Sequence, residues 1–316
     1  MKNQKLKGNL MMLIVAFVWG SSFIAQSVGV ETISSVTFIA VRSILGGIVL
    51  LPFIYILDKK KKKDNIPYQS FFDKTLIVGG LLCGVILCFA SLLQTEGMVY
   101  TGPGKAAFIT ALYMVIIPII NLFMGKKPTV YVVLAVLIAV LGMYFLCINS
   151  KFEVGKGDIL ILICAFLYAF HIIVIDYFSP KTDGVKLACM QFFVSGIICA
   201  LYMIAVEKPD VKPIINSWAA WGYSGVMSCG IAYTLQIVGQ KYTDPVSASI
   251  LMSLESVFAT LLSALFVALG INLTGGALGV REIIGCLLML CAIIIVQIPD
   301  VIKSRQAIKN EFGVNI

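Results

Sequence analysis

The sequence predicts an all-α integral membrane protein with ten transmembrane helices, arranged as two inverted repeats of five helices each. Hydrophobic residues make up 59% of the 316 residues and charged residues only 13%, against about 45–50% and about 25% in soluble domains. The mean hydropathy is +0.98. The apolar residues fall into runs of membrane-spanning length, and the two halves of the chain resemble each other. These observations together predict the fold class.

The composition also excludes several classes of protein. So few charged residues exclude a soluble globular domain, a disordered chain and a nucleic-acid-binding protein, although the net charge is +8. The nine cysteines all lie inside apolar runs and none forms a CxxC pair. We interpret them as small hydrophobic residues and expect neither disulfides nor metal ligands. No cofactor is expected.

Ten apolar runs are bounded by charges, Gly and Pro, and about 20 such residues cross a bilayer core of roughly 30 Å. We expect residues 1–149 to hold the first five-helix repeat, 150–299 the second, and 300–316 a short basic tail. The first run follows three lysines and ends near small residues, as in a signal peptide, but its length and the repeat favour a first span. The runs are 9–28, 35–56, 75–94, 105–124, 130–148, 158–178, 186–206, 218–237, 245–269 and 281–298.

The distribution of Lys and Arg predicts the orientation. Seventeen of the 24 lie on the side of the N-terminus, six on the other side, and Arg42 lies within a span. Because cytoplasmic loops are enriched in Lys and Arg, we expect both termini to be cytoplasmic. We also expect the membrane to be the plasma membrane. The lysine run at 59–63 could also bind nucleic acid or lipid, but an orientation signal explains it more simply.

The internal repeat is clearest where the third and eighth spans end. Six residues recur at an offset of 142, and most of them are polar, Gly or Pro. They are Gln94, Gly97, Tyr100, Thr101, Pro103 and Ala106, matched by Gln236, Gly239, Tyr242, Thr243, Pro245 and Ala248. Since each repeat has five spans, the second must enter the membrane from the opposite side. Inverted repeats are typical of secondary transporters, whose substrate sites lie near the midplane where the repeats meet.

Several motifs along the whole chain resemble the EamA-like members of the drug/metabolite transporter superfamily. They run from Trp19 to Gln26, from Gly104 to Tyr113, from Ala169 to His171, from Asp176 to Lys181, from Ala232 to Gln236, from Gly239 to Thr243 and from Ser253 to Ala259. The resemblance implies two five-helix repeats around a central cavity that opens alternately to either side. It also implies export, or less often uptake, of amino acids or other small metabolites.

Two positions depart from the pattern of that family. Ser256 stands where the family often has Pro after Glu255, which predicts a less kinked ninth span. Gly270-Ile271 stands where the family often has Gly-Glu. A mechanism that uses the second Glu is therefore not carried over.

Ionisable groups inside a membrane are costly and are candidates for function. Glu255 lies near the midpoint of the ninth span, and Tyr113 is its repeat equivalent. A buried carboxyl without a cation suits a proton-coupled exchanger. It also suits a substrate ligand or a protonated packing residue.

Two other ionisable residues have alternative interpretations. His171, the single histidine, lies in the cytoplasmic half of the sixth span and could handle protons or substrate if hydrated, or simply pack. Arg42 lies roughly 10 Å inside the second span. It could extend to the outer interface, pair with Glu31, or hold an anionic substrate group.

Four further residues complete the candidate substrate and proton pathway. Trp19 and its repeat equivalent Tyr168 lie at mid-depth, away from the interfaces where such rings usually anchor, and either line the cavity or pack. Gln94 and Gln236 end the third and eighth spans on opposite sides and could form hydrogen bonds at gates. Ser249, Ser253, Ser256, Thr260 and Ser263 share one face of the ninth span, where hydroxyls either pack helices or line a wet cavity.

Missing motifs narrow the function. No G-x-x-x-x-G-K-[ST] loop is present, so ATP-driven transport by this chain is not expected. One histidine cannot form the HExxH pair of a zinc protease, and no G-x-S-x-G serine elbow is present, so we do not expect an enzyme. A secondary transporter of a small molecule is favoured, with a channel or lipid scramblase as the alternative. Monomer and homodimer both remain open.

Overall fold

A computed structural model of the protein describes residues 2–147, 155–269 and 279–312, and within those residues all regular structure is helical. Gly270-Ile271, Lys151, the expected repeat boundary at 149/150 and the terminal Ile316 lie outside the described residues. The helices of the first half are α1 (Lys2–Val30), α2 (Ser35–Lys63), α3 (Lys74–Met98), α4 (Pro103–Ala111), α5 (Tyr113–Phe123) and α6 (Val130–Cys147).

The second half contains two π segments among its α-helices. Its elements are α7 (Lys156–Phe178), α8 (Gly184–Tyr202), a π segment Met203–Glu207, α9 (Val211–Asn216), α10 (Trp218–Tyr223), a π segment Ser224–Ala232, α11 (Tyr233–Gln240), α12 (Pro245–Met252), α13 (Glu255–Ala268) and α14 (Val280–Phe312).

Seven of the described helical stretches are long and apolar enough to cross a membrane. They coincide with predicted spans 1–4, 6, 7 and 9. Spans 5 and 10 correspond to the shorter apolar stretches Val130–Phe145 and Ile283–Pro299. Span 8 is helical from Trp218 to Gln240, but a π segment interrupts it. The protein is therefore a multi-pass membrane protein, and the count of ten remains a prediction.

The helix starts follow local chemistry. The side chains of Ser34, Asp73, Asp183 and Asp244 accept hydrogen bonds from the first free N–H groups of α2, α3, α8 and α12, as preferred N-cap residues do. Pro103 and Pro245 occupy the first positions of α4 and α12, where a missing N–H costs nothing. The lysine run Lys60–Lys63 forms the last turn of α2, where positive charge is favourable.

Two spans are interrupted at equivalent points of the two halves. Leu112 separates α4 from α5, and Ser253 and Leu254 separate α12 from α13. At both points the backbone tightens: the N–H of Leu112 bonds to the Ile109 carbonyl and that of Leu254 to the Leu251 carbonyl. The ninth span is thus interrupted without a Pro, and the expectation of a less perturbed helix at Ser256 misses this break.

Glycines allow the helices to approach closely at both ends of the bundle. A Cβ on Gly157 would lie 2.6 Å from the Gly97 carbonyl oxygen, and one on Gly8 would lie 3.0 Å from the Gly239 carbonyl oxygen. The two contacts join α7 to α3 and α1 to α11. Gly84 packs equally closely on Val194 of α8. Small residues serve in this way in membrane helix packing.

Polar contacts between loops fall into two groups at opposite ends of the bundle. At one end Lys61 binds Asp183 at 2.6 Å, Lys241 donates to the Thr182 carbonyl at 2.9 Å, and Lys5 lies 3.9 Å from Asp244. At the other end Lys105 binds Asp158 at 2.6 Å, Ser35 donates to Glu96, and Thr37 donates to Glu207. These contacts tie each end of the bundle together.

Candidate functional site

A narrow polar cavity lies in the centre of the bundle, where the two halves meet. Its wall takes side chains from α1, α2, α3, α4, α5 and α7, from the second π segment, and from α11 and α13. About 30 Å³ of the cavity is open to the centres of water molecules. Since one water needs roughly 10–15 Å³ by that measure, about two waters would fit.

Seven of the eight predicted site residues line this cavity. They come from four predicted spans of the first half and from three of the second. They are Trp19, Arg42, Gln94, Tyr113, Tyr168, Gln236 and Glu255. His171 is the exception.

Glu255 and Tyr113 meet where the two interrupted spans break. Each is the first residue of the helix that follows its break. The Tyr113 hydroxyl donates to Glu255 Oε1 at 3.2 Å, and both side chains are buried, with 2% exposure. The expected pair of repeat equivalents is therefore in direct contact, because both breaks lie at the boundary between the halves.

A chain of hydrogen bonds continues along the wall of the cavity. Gln94 donates to the Thr110 hydroxyl at 3.1 Å and accepts from the Tyr168 hydroxyl at 3.4 Å. The Tyr233 hydroxyl donates to Tyr168 at 3.3 Å. This chain joins α3, α4, α7 and α11 and fixes the phenol groups of two aromatic rings.

Arg42 is buried and does not reach the outer interface. Its side chain is 3% exposed and lines the cavity, and its guanidinium lies 5.5 Å from the ring centre of Phe38. The Nε atom has no hydrogen-bond partner among the described residues, and no ion pair joins Arg42 to Glu31 there. This position fits neither contact with the outer interface nor a pair with Glu31, and the third role, holding an anionic substrate group, stays a prediction.

Other polar atoms of the cavity wall lack partners among the described residues. These are Trp19 Nε1, Gln26 Oε1 and Gln236 Oε1. The Trp19 ring packs on Tyr233 with 4.7 Å between ring centres. Because buried polar groups are normally satisfied, such atoms fit a wall that faces water or a bound polar molecule.

His171 does not line the cavity. Its side chain is fully buried, and Nε2 lies 3.1 Å from Gln191 Oε1. Its ring makes edge contacts with Tyr168 and Tyr233, with centres 6.5 and 6.2 Å apart. Of the two interpretations of His171, this position favours packing over a hydrated imidazole. His171 lies behind the two tyrosines that form the wall.

The structure changes the expected depth of two glutamines and favours one of the two interpretations of the hydroxyl series. Gln94 and Gln236 do not lie at the ends of their helices, because α3 continues to Met98 and α11 to Gln240. Both line the central cavity, and a role in gating stays a prediction. The hydroxyls of Ser249, Ser253, Ser256 and Thr260 bond to carbonyls three or four residues earlier in their own span, so they pack rather than line a wet path.

Sequence reasoning missed two prominent residues of the wall, Gln26 and Tyr233. Both lie inside apolar spans and inside motifs that carried the family resemblance. The criterion that selected Gln94, a polar residue at membrane depth, would also have selected Gln26. Tyr233 has no repeat equivalent of its own kind, since Ser91 occupies that position.

Many transporters hold their solutes in a buried cavity between membrane helices, and this bundle of apolar helices has such a cavity. The model of the EamA-like transporter family matches residues 6–148 and again residues 155–298. The chain belongs to this family, and two copies of the family unit cover nearly all of it. It is a membrane transporter.

Curated relatives agree with this assignment. An uncharacterized transporter of Archaeoglobus fulgidus is 29% identical over 93% of this chain and 87% of its own length. The uncharacterized transporter YoaV of Bacillus subtilis is 19% identical over 91% of this chain and 96% of its own. Protein PagO of Salmonella typhimurium is 22% identical over 92% and 94%.

A solved crystal structure has the same fold. It superposes with a TM-score of 0.69 over 92% of this chain and 96% of that chain, at 17% identity. At this identity the likeness concerns the fold alone.

Proposed function

We propose that the protein is a secondary active transporter that exports a small metabolite, an amino acid or a related compound, across the plasma membrane by alternating access. The observation that carries this proposal is the central cavity, in which Glu255 and Arg42 are both buried among apolar helices. Charges at such depth are costly and by default mark a pathway for a substrate or an ion. Seven of the predicted site residues surround that cavity, which supports their assignment to the substrate and proton pathway.

Helix packing supports two inverted five-helix repeats within ten spans. α2 packs on α8 and α6 on α14, which are spans 2 with 7 and 5 with 10. α3 packs on α7, which joins span 3 to span 6, and α11 packs on α1, which joins span 8 to span 1. A two-fold axis between the halves would turn the contact of span 3 with span 6 into the contact of span 8 with span 1. It would turn the contacts of span 2 with span 7 and of span 5 with span 10 into themselves. The Tyr113–Glu255 contact would then lie close to the axis.

Loop contacts support the proposed orientation. Among the described ion pairs and carbonyl contacts, the loops expected in the cytoplasm contact one another. Lys61 pairs with Asp183, and Lys241 donates to the carbonyl of Thr182. Lys105 and Asp158, both expected outside, contact each other. Together with the excess of Lys and Arg, this favours cytoplasmic termini.

Glu255 is the proposed coupling group. It is buried, accepts a hydrogen bond from Tyr113, and is not joined to a cation among the described residues. A carboxyl in this setting can exchange a proton when the cavity opens to water on either side. Proton entry from outside would then drive export of the substrate.

The test compares metabolite flux through membrane vesicles with and without the protein, in both vesicle orientations, using mass spectrometry of the released compounds. A carrier is expected to give saturable flux that accelerates when the same compound is present on the opposite side. Flux that rises linearly without this acceleration would identify the alternative, a channel or scramblase. No difference between vesicles with and without the protein would overturn the transport proposal for the compounds measured.

A further inference from the structure

The lysine run at the end of α2 has two different sides. Lys61 continues the buried stripe of Leu50 and Ile54, is partly buried, and binds Asp183 at 2.6 Å. The other four lysines are exposed and form no ion pair among the described residues. At about 100° per residue they fan out on the side of the helix opposite Lys61. We call them the lysine face: Lys59, Lys60, Lys62 and Lys63.

The lysine face continues the side of α2 that faces lipid. Ile48, Pro52 and Tyr55 are exposed and follow each other at steps of four and three residues. Lys59 and Lys63 follow at further steps of four, and residues at such steps share one face of a helix. Exposed side chains within a membrane-spanning helix contact lipid, so these lysines lie directly above the same lipids.

The length of α2 places the lysine face at the membrane surface. Residues 36–57 of this helix rise about 33 Å at about 1.5 Å per residue, which matches a hydrocarbon core of roughly 30 Å. Residues 59–63 rise about 6 Å more, and the headgroup layer of each leaflet is roughly 5–8 Å thick. The lysine face therefore spans the depth at which lipid phosphates lie.

The loop after the lysines adds an exposed aromatic ring near the membrane surface. Phe72 is 88% exposed and directly precedes Asp73, which caps the start of the membrane helix α3. Ile66 and Tyr68 of the same loop are exposed as well. Apolar and aromatic side chains beside lysines are typical of segments that lie at the boundary between headgroups and acyl chains.

The loop is held in place beside α8. Lys186, buried at the start of α8, donates to the Gln69 carbonyl and pairs with Asp58 at 2.7 Å. The Gln69 side chain accepts from the Asp183 N–H at 2.7 Å and donates to Asp73 at 2.8 Å. Because these contacts already order the loop, a ligand would not have to order it, and such preorganisation favours binding.

We propose that the lysine face and Phe72 form a binding surface for anionic phospholipids of the adjoining leaflet, with lipid phosphates on the lysines and the ring among the upper acyl carbons. Asp64 is the one acidic residue of the segment 59–72, so the exposed charges complement an anionic surface. An orientation signal needs positive charge in this loop but no particular face, whereas four of the five lysines here lie on the side of lipid. The proposal is independent of what the protein transports.

The test measures lipid binding to the full-length protein in detergent by native mass spectrometry. The anionic probe is phosphatidylglycerol, and the neutral probe is phosphatidylcholine with the same acyl chains. Since one lysine near an anionic leaflet favours it about fivefold, the wild type is expected to bind its first phosphatidylglycerol at least about fivefold more tightly than phosphatidylcholine. A variant with the whole lysine face changed to Gln should lose this difference, whereas changing the four lysines to Arg should keep it.

Two single variants form a matched pair within the lysine run. Lys63→Gln should weaken phosphatidylglycerol binding by up to about fivefold and leave the unfolding temperature without added lipid unchanged. Lys61→Gln removes the same charge from the side that binds Asp183, so it should lower the unfolding temperature slightly and keep the lipid preference. Phe72→Ser should weaken the binding of both lipids to a similar extent, because a ring does not distinguish their headgroups.

Three results would overturn the lipid surface. An unchanged preference for phosphatidylglycerol in a correctly folded variant without the lysine face would leave the run as an orientation signal. Equal loss of preference in Lys61→Gln and Lys63→Gln would show that total charge, and not the exposed face, attracts the lipid. Displacement of the lipid by excess inorganic phosphate or by a short RNA would reassign the lysines to soluble phosphate groups or to nucleic acid. None of these measurements depends on transport.

Discussion

At the scale of single residues, membrane depth gives each polar side chain its meaning. Glu255, Arg42 and Gln94 are each costly among apolar helices, and the fold places all three around one cavity. His171 is equally polar but is packed behind that wall against Gln191. Depth along a span thus selects candidate residues, whereas the direction in which a side chain points selects among them.

Replacing Glu255 by Gln is expected to abolish pH-driven flux, reducing it at least about tenfold, because the amide keeps the shape but cannot carry a proton. Flux is measured in vesicles with an imposed pH difference. Glu96→Gln is the matched control, since Glu96 bonds to Ser35 and Tyr100 at one end of the bundle and should retain wild-type flux.

Exchange at equal pH then separates two roles of Glu255. A residue that carries only the proton leaves this exchange intact, whereas replacing a residue that also binds the substrate lowers exchange and pH-driven flux together. Wild-type flux in Glu255→Gln under the pH difference would end the coupling hypothesis.

At the scale of helices and loops, two kinds of contact hold the elements together. Glycines allow close contacts between helices, and ion pairs join the loops. Gly157 and Gly97 bring α7 against α3 so closely that a methyl group on Gly157 would lie 2.6 Å from a carbonyl oxygen. Asp183 caps α8 and also binds Lys61 of α2. The glycine contact and the ion pair each join two helices, so each one stabilises the packing of a pair of elements.

Gly157→Ala is expected to destabilise the protein by about 1–3 kcal/mol, since overpacking forces the helices apart. The matched control is Gly104→Ala. Gly157 and Gly104 are each the second residue of a helix, but nothing lies within 4 Å of a Cβ on Gly104. That change should be neutral or stabilising by up to about 1 kcal/mol. Equal unfolding temperatures of the two variants in detergent would contradict the close contact.

The ion pair at Asp183 predicts a dependence of stability on pH. Burial disfavours this carboxylate, but Lys61 and the backbone N–H groups of Lys186 and Val185 outweigh it and hold the pKa of Asp183 below its usual range. A lowered pKa in the folded state stabilises the protein above the usual Asp pKa, and this stabilisation is lost as the pH falls through the lowered value.

Asp183→Asn should therefore lower stability at neutral pH by about 1 kcal/mol or less, as expected for a partly exposed pair, and should flatten the loss of stability in acid. Thermal unfolding between neutral and acidic pH measures both effects. Asp210→Asn, a change at an exposed residue, should leave the acid profile unchanged. If Asp183→Asn unfolded at the same temperatures as the wild type over this pH range, the ion pair would contribute nothing to stability.

At the scale of the whole molecule, the loop contacts divide the protein into two ends. One end gathers Lys5, Lys61, Asp183 and Lys241, and the other gathers Lys105, Asp158 and Glu207. Loops at one end of a helical bundle must lie on the same side of the membrane. Any assignment of sides therefore has to keep each group together.

Reporters active only in the cytoplasm test this assignment. Fusions after Lys61, Thr182 and Ile316 are expected to be active, and a fusion after Val211 inactive, because positive loops stay inside. An inactive fusion after Ile316 would contradict the ten spans and the inverted repeat together. An active fusion after Val211 would contradict the division of the loops.

The sequence by itself determined the class of this protein, the helical nature of its spans and most of the polar residues of its site. It could do so because the backbone polar groups of a spanning segment must be satisfied within the membrane, which long apolar runs achieve as helices, and because a charge at membrane depth must have a reason. The pairing of Tyr113 with Glu255 was also foreseeable from the offset of 142 that relates the halves.

Only the tertiary structure decided which polar residues share a cavity and which lie behind its wall. The interruptions at Leu112 and at Ser253 and Leu254 leave no Pro or Gly signal in the sequence. Likewise, Arg42 faces inward and His171 lies outside the cavity because of how α2 and α7 are rotated against their neighbours. Rotation about a helix axis depends on the fit of side chains between helices, and near-uniform apolar composition does not encode it locally.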